Sequence, residues 1–140
     1  MGSGLVSAYR ETDYVAHGNG QVAVVRIGHR SIVLDRLLAR MDARNGAFIT
    51  AWNPFSKSLS LGANEHWNRE LKRYLIVRGF TFVKGEGRGR TGEWTSEPSI
   101  FVFGISRTEG SAVGRRYCQN AIVYVPMGGP AELVMLRRVR

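Results

Sequence analysis

Apolar residues recur along this chain in two patterns, one with helical spacing and one made of short runs bounded by Gly, Pro or Asn. Spacing of three and four residues predicts amphipathic helices, whereas short apolar runs between turn residues are typical of strands. The pattern predicts strands at 14–17, 21–27, 47–53, 80–84, 99–105, 120–125 and 131–136, and helices at 32–43, 63–78 and 107–117.

The order of these elements predicts an α+β fold. From Ala47 to Val125 the order is β-α-β-β-α-β, which is the ferredoxin-like split βαβ unit. An N-terminal β-hairpin with turn residues Gly18-Asn19-Gly20 and one helix precede this core, and a C-terminal strand follows it. No linker divides the 140 residues, so a single domain over 1–140 is expected.

Polar residues cluster where predicted strands begin or end. Asn53 and Ser56 follow a buried apolar run, and Glu97 and Gln119-Asn120 begin two later strands. Right-handed crossovers make the first two core strands parallel and the later two antiparallel to them. All these polar residues then fall at one edge of the sheet, which predicts a ligand pocket there. A doubly wound parallel sheet would instead place them on two different edges.

Two amides extend the apolar stripe of the second predicted helix. Asn64, Asn68, Leu71 and Leu75 share one helix face. A stripe that becomes polar in its first turn indicates that this end of the helix faces a crevice. The alternative is that Asn64 caps the helix and Asn68 is solvated.

Glu97 is the one carboxylate in the predicted cluster and the candidate catalytic residue. Pro98 holds it in an extended conformation, from which it can act as an acid or base or bind a ribose hydroxyl or an exocyclic amine. A salt bridge to a nearby arginine is the alternative. The amides of Gln119 and Asn120 either fix the junction between helix and strand or point into the crevice.

A glycine-rich segment at 85–92 carries Arg88 and Arg90. It lacks the Gly-Lys-Ser/Thr ending of a phosphate-binding loop and resembles no dinucleotide motif. We expect a flexible loop whose arginines neutralise a phosphate. A plain hairpin loop is the alternative.

Charge indicates an anionic partner. Lys and Arg number 20 against 11 Asp and Glu, which gives a net charge of +9 and a pI near 10.6. Arginine dominates this excess and binds phosphates bidentately, which favours a nucleotide or a nucleic acid as partner. The alternative is that the net charge and the pI reflect a basic surface that is solvated and binds no partner.

Other sequence features narrow the range of functions. The single Cys118 excludes an internal disulfide and indicates a reducing compartment. No apolar run is long enough for a membrane span and no secretory signal is visible, so we expect a cytoplasmic protein without membrane partners. His17, His29 and His66 are scattered without ligand spacing, so neither a metal nor a cofactor is expected.

Three motifs together resemble a known family. Ile49-Thr50-Ala51-Trp52-Asn53-Pro54, Glu97-Pro98-Ser99 and Gln119-Asn120-Ala121 are similar to the signature of family 3293 of the bacterial domains of unknown function. The resemblance extends from about Tyr9 to Val134. Family members tend to have Phe-Gly where this chain has Tyr117-Cys118. The resemblance implies that these polar positions are the family signature, but no activity.

Our leading hypothesis is a small basic domain that binds a nucleotide-like or other phosphate-bearing ligand in an amide-lined crevice. Glu97 is the anchor, or the catalytic acid or base if a reaction takes place. The alternatives are an arginine-driven nucleic-acid-binding protein without catalysis and a protein-interaction module that uses its last strand. The sequence leaves enzymatic activity and oligomeric state open. The predicted ligand-binding residues are Asn53, Ser56, Asn64, Asn68, Gln119, Asn120, Arg88 and Arg90.

Overall fold

The computed structural model describes residues 2–90 and 96–137, which contain four α-helices, one 3-10 turn and seven strands. Helices and strands are mixed, which confirms the predicted α+β composition. The helices are α1 (Gly2–Arg10), α2 (Ile32–Arg40), α3 (Leu61–Val77) and α4 (Arg107–Arg116), and the 3-10 turn is Pro54–Ser56. The strands are β1 (Thr12–Gly18), β2 (Gln21–Val25), β3 (Asn45–Ile49), β4 (Phe82–Gly89), β5 (Glu97–Phe103), β6 (Ala121–Pro126) and β7 (Glu132–Met135).

The seven strands form one sheet in the order β2-β1-β4-β5-β3-β6-β7, and every neighbouring pair is antiparallel. Since β3 and β4 both run antiparallel to β5, they are parallel to each other. The sheet curls until its two edges meet in an isolated bridge between Ile27 and Ala131. There Gly28 N donates to Ala131 O at 2.8 Å and Ala131 N donates to His29 O at 3.0 Å. The sheet is therefore a half-barrel with an inner and an outer face.

Each face of the sheet has its own hydrophobic core. On the inner face, Phe48 and Phe101 pack with Leu34 and Leu38 of α2. On the outer face, α3 and α4 cover the sheet. The buried residues of the outer core include Ile49, Ile100, Leu71, Leu75 and Val113. Alternate residues of a strand point to opposite faces, which is why Ile49 and Ile100 belong to one core and their neighbours Phe48 and Phe101 to the other.

Serine residues fix the starts of three helices. Ser31, Ser60 and Ser106 each accept a hydrogen bond from the backbone N–H three residues later. Glu109 completes a capping box by accepting from the N–H of Ser106. These caps place the helix starts within two residues of the predicted positions.

The local structure differs from the predictions in three places. Helix α1 was not predicted, because Gly2–Arg10 is short and contains Gly2 and Gly4, which have low helix propensity. The first core strand ends at Ile49 rather than Asn53, because the N–H groups of Ala51 and Trp52 donate to the side chains of Asn68 and Thr50 instead of to a neighbouring strand. The glycine-rich segment is not a loop over residues 85–89, where it forms most of β4. The rest of that predicted loop includes residues 91–95, which lie outside the described residues.

Candidate functional site

A pocket of about 560 Å³ opens on the inner face of the sheet. Helix α1 forms one wall of the pocket, and the ends of β1, β4 and β5 form a second wall. The segment after β3 and the start of β6 complete the lining of the pocket. Its aromatic lining residues are Tyr9, Tyr14, Phe48 and Trp52, and its polar ones include Asn53, Ser56, Arg90, Glu97, Ser99, Gln119 and Asn120.

The strand register explains why two polar residues of β5 reach the pocket. Glu97 and Ser99 alternate with Pro98, so both lie on the inner face of β5. In the pairing of β4 with β5, Gly87 lies opposite Glu97 and Gly85 lies opposite Ser99. Because these residues are glycines, β4 places no side chain on the sheet opposite Glu97 and Ser99. A glycine-rich β4 therefore helps to form the pocket.

The loop after β3 has a strained backbone. Asn53, Phe55 and Ser56 have φ values of 45°, 54° and 62°, and the nearby Cys118 has 59°. The two segments are joined by a hydrogen bond from Phe55 N to Cys118 O of 2.7 Å. Non-glycine residues in this left-handed region cost on the order of 1–3 kcal/mol each and concentrate at functional sites. Other contacts must therefore hold the loop in place.

The buried amides of α3 supply those contacts. Asn68 Oδ1 accepts the backbone N–H of Ala51 at 2.8 Å. Asn64 Oδ1 accepts the N–H of Asn53 at 2.8 Å, and Asn64 Nδ2 donates to Asn53 Oδ1 at 2.7 Å. Asn53 Oδ1 also accepts from Leu59 N at 3.1 Å. The structure therefore places Asn64 and Asn68 behind the loop, where they determine its shape, and not among the residues that line the pocket.

The two amides that precede β6 differ in how fully they are paired. Gln119 Nε2 donates to Tyr117 O at 3.1 Å and to Trp52 O at 3.3 Å. Asn120 Nδ2 donates to Ser56 Oγ at 2.9 Å, but Asn120 Oδ1 is buried and has no hydrogen-bond partner. In the described part of the chain, one other buried side-chain atom lacks a partner, and it is Ser99 Oγ. Both atoms belong to residues that line this pocket.

Glu97 is a titratable group of the pocket whose environment is strongly altered. Burial raises the pKa of its carboxyl to about 7. Within residues 2–90 and 96–137, no hydrogen-bond or ion-pair partner compensates that burial. The pKa of Tyr9 is raised first by burial and then by the negative charge of Glu97, while the side chains of Asn120 and Ser56 oppose this rise. Burial also raises the pKa of Tyr14. The carboxyl of Glu97, the phenol of Tyr9 and the amide of Asn120 therefore lie near one another in the pocket.

The two predicted phosphate-binding arginines differ in their position relative to the pocket. Arg90 lines the pocket, where its guanidinium donates to Arg10 O and lies 3.3 Å from Asp13 Oδ1. Arg88 does not line the pocket; its guanidinium pairs with Glu86 at 2.6 Å. His17 Nε2 lies 2.9 Å from the same carboxylate. Arg88, followed by Ser96, lowers the pKa of Glu86 to about 2.

The structure thus brings together six of the residues proposed from sequence: Asn53, Ser56, Arg90, Glu97, Gln119 and Asn120 all line one pocket. Sequence reasoning missed three others. Ser99 could have been found from its alternation with Glu97 along β5. Tyr9 gave no such signal because α1 was not predicted, and Tyr14 was assigned only to a hairpin strand.

Within residues 2–90 and 96–137, no helix is both long enough and apolar enough to cross a membrane. Among the same residues, no three or more His, Cys, Asp or Glu side chains are grouped as a metal site.

The family model for proteins of unknown function called DUF3293 matches residues 49–122, more than half of the 140-residue chain. The chain belongs to this family. The matched region contains the strained loop, α3, Glu97 and the two amides before β6, whereas α1 and β1 lie outside it. Comparisons with curated proteins and with solved structures find no match.

Proposed function

We propose that this protein binds a small nucleotide-like ligand in the pocket on the inner face of its sheet. The observation that carries the proposal is the pair of buried, unpartnered atoms, Asn120 Oδ1 and Ser99 Oγ, which belong to lining residues of the same pocket as Glu97. Buried polar atoms are nearly always hydrogen-bonded in folded proteins, and an orphan needs an explanation. A ligand that supplies the missing partners is that explanation.

The size and lining of the pocket support a ligand with a flat ring. A volume of about 560 Å³ lies within the range of about 300–1,000 Å³ that is typical of small-molecule sites. Tyr14 and Phe48 lie side by side in the lining, with ring centroids 5.7 Å apart. Aromatic residues of this kind stack on planar heterocycles and contribute apolar contact area.

The charges favour the nucleoside part of the ligand over a long phosphate chain. Arg90 is the arginine that lines the pocket, and it already contacts Arg10 O and Asp13. Arg88 is paired with Glu86 away from the pocket. One partly engaged guanidinium fits a nucleoside or a monophosphate better than a triphosphate. The net charge of +9 still assists the approach of an anionic ligand.

The remaining predicted residues then have defined roles. Asn64 and Asn68 are positioning residues that hold the loop carrying Asn53 and Ser56. Glu97 anchors the ligand, and it is the candidate acid or base if the bound ligand reacts, because its raised pKa keeps both protonation states accessible near neutral pH.

A finer description of the fold belongs with this proposal. We propose that β3, α3, β4, β5, α4 and β6 form a ferredoxin-like unit. The internal order β4-β5-β3-β6 and the position of α3 and α4 on the same face of the sheet support it. The single cysteine supports a cytoplasmic location.

Thermal unfolding with a panel of nucleosides, nucleotides and sugar phosphates tests the binding proposal. We expect one class to raise the melting temperature at both low and high salt, because the contacts are buried. The shift should vanish in Asn120→Ala. Lys72→Ala, on the exposed side of α3, is the matched control and should keep it. If no compound of the panel gives a shift that depends on Asn120, the proposal is wrong.

A second candidate function has its own supporting observation. The outer surface of α3 exposes Trp67, which is 43% exposed, next to His66 and near the arginines that stack on Tyr74. Aromatic residues beside arginines are typical of surfaces that bind single-stranded nucleic acids. This function predicts binding of oligonucleotides that weakens steeply with salt and is lost in Trp67→Ala. Binding that is insensitive to salt would contradict it.

A further inference from the structure

We propose that the pocket recognises the amino edge of a neutral heterocycle, the N=C–NH2 group present in adenine and cytosine, through Glu97 and Asn120. The inference rests on the proposed function and specifies its ligand class. It depends on which hydrogen-bonding atoms the pocket offers and which ones its internal contacts already occupy.

Asn120 presents an acceptor to the ligand. Its Nδ2 donates to Ser56 Oγ at 2.9 Å, while its Oδ1 is buried without a partner. Since an amide oxygen can only accept, a ligand that satisfies it brings a donor to this position. An amino group is such a donor, whereas a carbonyl oxygen would face Asn120 Oδ1 with two acceptors in contact and no hydrogen between them.

Glu97 presents a donor and an acceptor together. Its carboxyl is partly buried and, in the part of the chain that the structure describes, contacts no cation. Burial raises its pKa to about 7, so the neutral acid is well populated at neutral pH. In that form the O–H donates to a ring nitrogen and the C=O accepts one hydrogen of the adjacent amino group. The second amino hydrogen is then available to Asn120 Oδ1.

The charged groups around the pocket favour a neutral ligand over an organic cation. Besides Glu97, the titratable or charged residues that line the pocket are Tyr9 in α1, Glu11 directly after α1, Tyr14 in β1 and Arg90 directly after β4. An organic cation would pair with the ionised carboxylate and stack on the aromatic residues. It would also have to enter past Arg90 into a protein of net charge +9, which disfavours its approach.

Calorimetric titration of the full chain with adenosine, inosine, cytidine and uridine tests the inference, because each pair differs in the amino edge. We expect adenosine or cytidine to bind at least about tenfold more tightly than its partner without the amino group, because one good hydrogen-bonded pair discriminates to this extent. Since binding requires the proton on Glu97, affinity should fall about tenfold between about pH 6 and about pH 8.

The variants Glu97→Gln and Glu97→Ala separate this explanation from cation binding. Glutamine reproduces the neutral acid, since its Nε2 donates to the ring nitrogen and its Oε1 accepts from the amino group. Glu97→Gln should therefore retain binding and lose the pH dependence, whereas Glu97→Ala should lose binding. Affinity that rises with pH and disappears in Glu97→Gln would overturn the inference in favour of a cationic ligand.

The failure of this inference is distinguishable from that of the proposed function. If inosine or uridine binds as tightly as its amino counterpart and Asn120→Ala abolishes the binding, the pocket binds nucleosides but does not read the amino edge. If none of the four nucleosides binds at either pH, the inference is wrong. The wider panel of nucleotides and sugar phosphates then decides whether the proposed function is wrong as well.

Discussion

Gly87 lies directly opposite Glu97 in the antiparallel pairing of β4 with β5, and both residues line the pocket. A Cβ at Gly87 would lie 3.4 Å from Thr12 Cγ2 and 3.8 Å from Tyr14 Cε1, which is ordinary van der Waals contact. The backbone therefore tolerates a side chain at this position. A side chain longer than alanine would extend from Gly87 into the pocket, which this residue lines.

A larger residue at this position should fill the pocket without unfolding the protein. We expect Gly87→Leu to abolish the thermal shift given by adenosine or cytidine. The matched control Gly87→Ala should keep that shift and stabilise the fold by up to about 1 kcal/mol, since glycine is costly inside a strand. Urea unfolding with and without nucleoside measures both effects. A normal shift in a folded Gly87→Leu protein would mean that the ligand binds elsewhere.

Substitution of a buried amide in α3 should mainly lower stability, whereas substitution of Asn120 before β6 should mainly weaken ligand binding. Asn68→Ala leaves the N–H of Ala51, which is 1% exposed, without its acceptor. An unsatisfied buried donor costs about 1–3 kcal/mol, so we expect a loss of this size in the free energy of unfolding. Asn120→Ala removes an unpartnered oxygen and one bond to Ser56 Oγ, and should cost less.

Denaturant unfolding and nucleoside titration of the two variants check this contrast. At a temperature where both variants are folded, Asn120→Ala should lose binding and Asn68→Ala should largely keep it. The opposite ranking, with Asn120→Ala the less stable variant and the better binder, would contradict the assignment of roles.

Sequence reasoning found much of the fold because several local signals agree. Ser31 is a favourable N-cap residue and does cap α2, and Asn19-Gly20, with φ values of 51° and 71°, forms the tight turn of the first hairpin. These signals act over a few residues and need no tertiary information.

The errors arose where tertiary contacts override local preference. Glycine-rich β4 has low strand propensity, but it pairs with β1 on one side and β5 on the other, and a Cβ at Gly85 would lie 2.9 Å from Ser99 Oγ. Helix α1 is held by contacts from outside itself, such as the bond from Thr12 Oγ1 to Ala8 O of 2.7 Å. Both elements contain more than one glycine, so local propensity predicts neither of them.

Part of the candidate site could be predicted from the sequence because of the topology of the sheet. Glu97 and Asn120 are distant in sequence, but both stand at the start of strands that run in the same direction, so one sheet edge collects them. Tyr9 could not be placed from sequence, since its position depends on the packing of α1. Which of Arg88 and Arg90 lines the pocket could not be predicted, since it depends on where β4 ends.

Glu86 should make the fold sensitive to acid. Arg88 and Ser96 lower its pKa to about 2, so the folded protein keeps this carboxylate ionised where the unfolded chain is already protonated. The stabilisation is complete above about pH 4.5 and is lost as the pH falls toward about 2. Because Arg88 is half exposed, we expect Glu86→Gln to cost only about 1–2 kcal/mol at pH 7. That cost should shrink in acid.

Urea unfolding of Glu86→Gln between about pH 2 and about pH 7 measures this dependence. Glu65→Gln, on the exposed side of α3, is the control and should follow the wild type. A cost that stays the same at every pH would show that Glu86 acts through its packing rather than its charge.

Glu97 should have the opposite effect on stability. Its pKa is raised to about 7, so between about pH 4.5 and 7 the folded protein holds a proton that the unfolded chain has released. Stability from this group therefore falls as the pH rises through that window. Glu97→Gln cannot ionise, so we expect it to be more stable than the wild type at about pH 8, by about 1–3 kcal/mol, with the difference vanishing near about pH 4.5.

Unfolding of the ligand-free wild type and Glu97→Gln across this pH range measures the two stability curves. If Glu97→Gln is less stable than the wild type by the same amount throughout, the carboxyl must have a buried partner that stabilises its charge, and the pocket would then already satisfy the group proposed to bind the ligand.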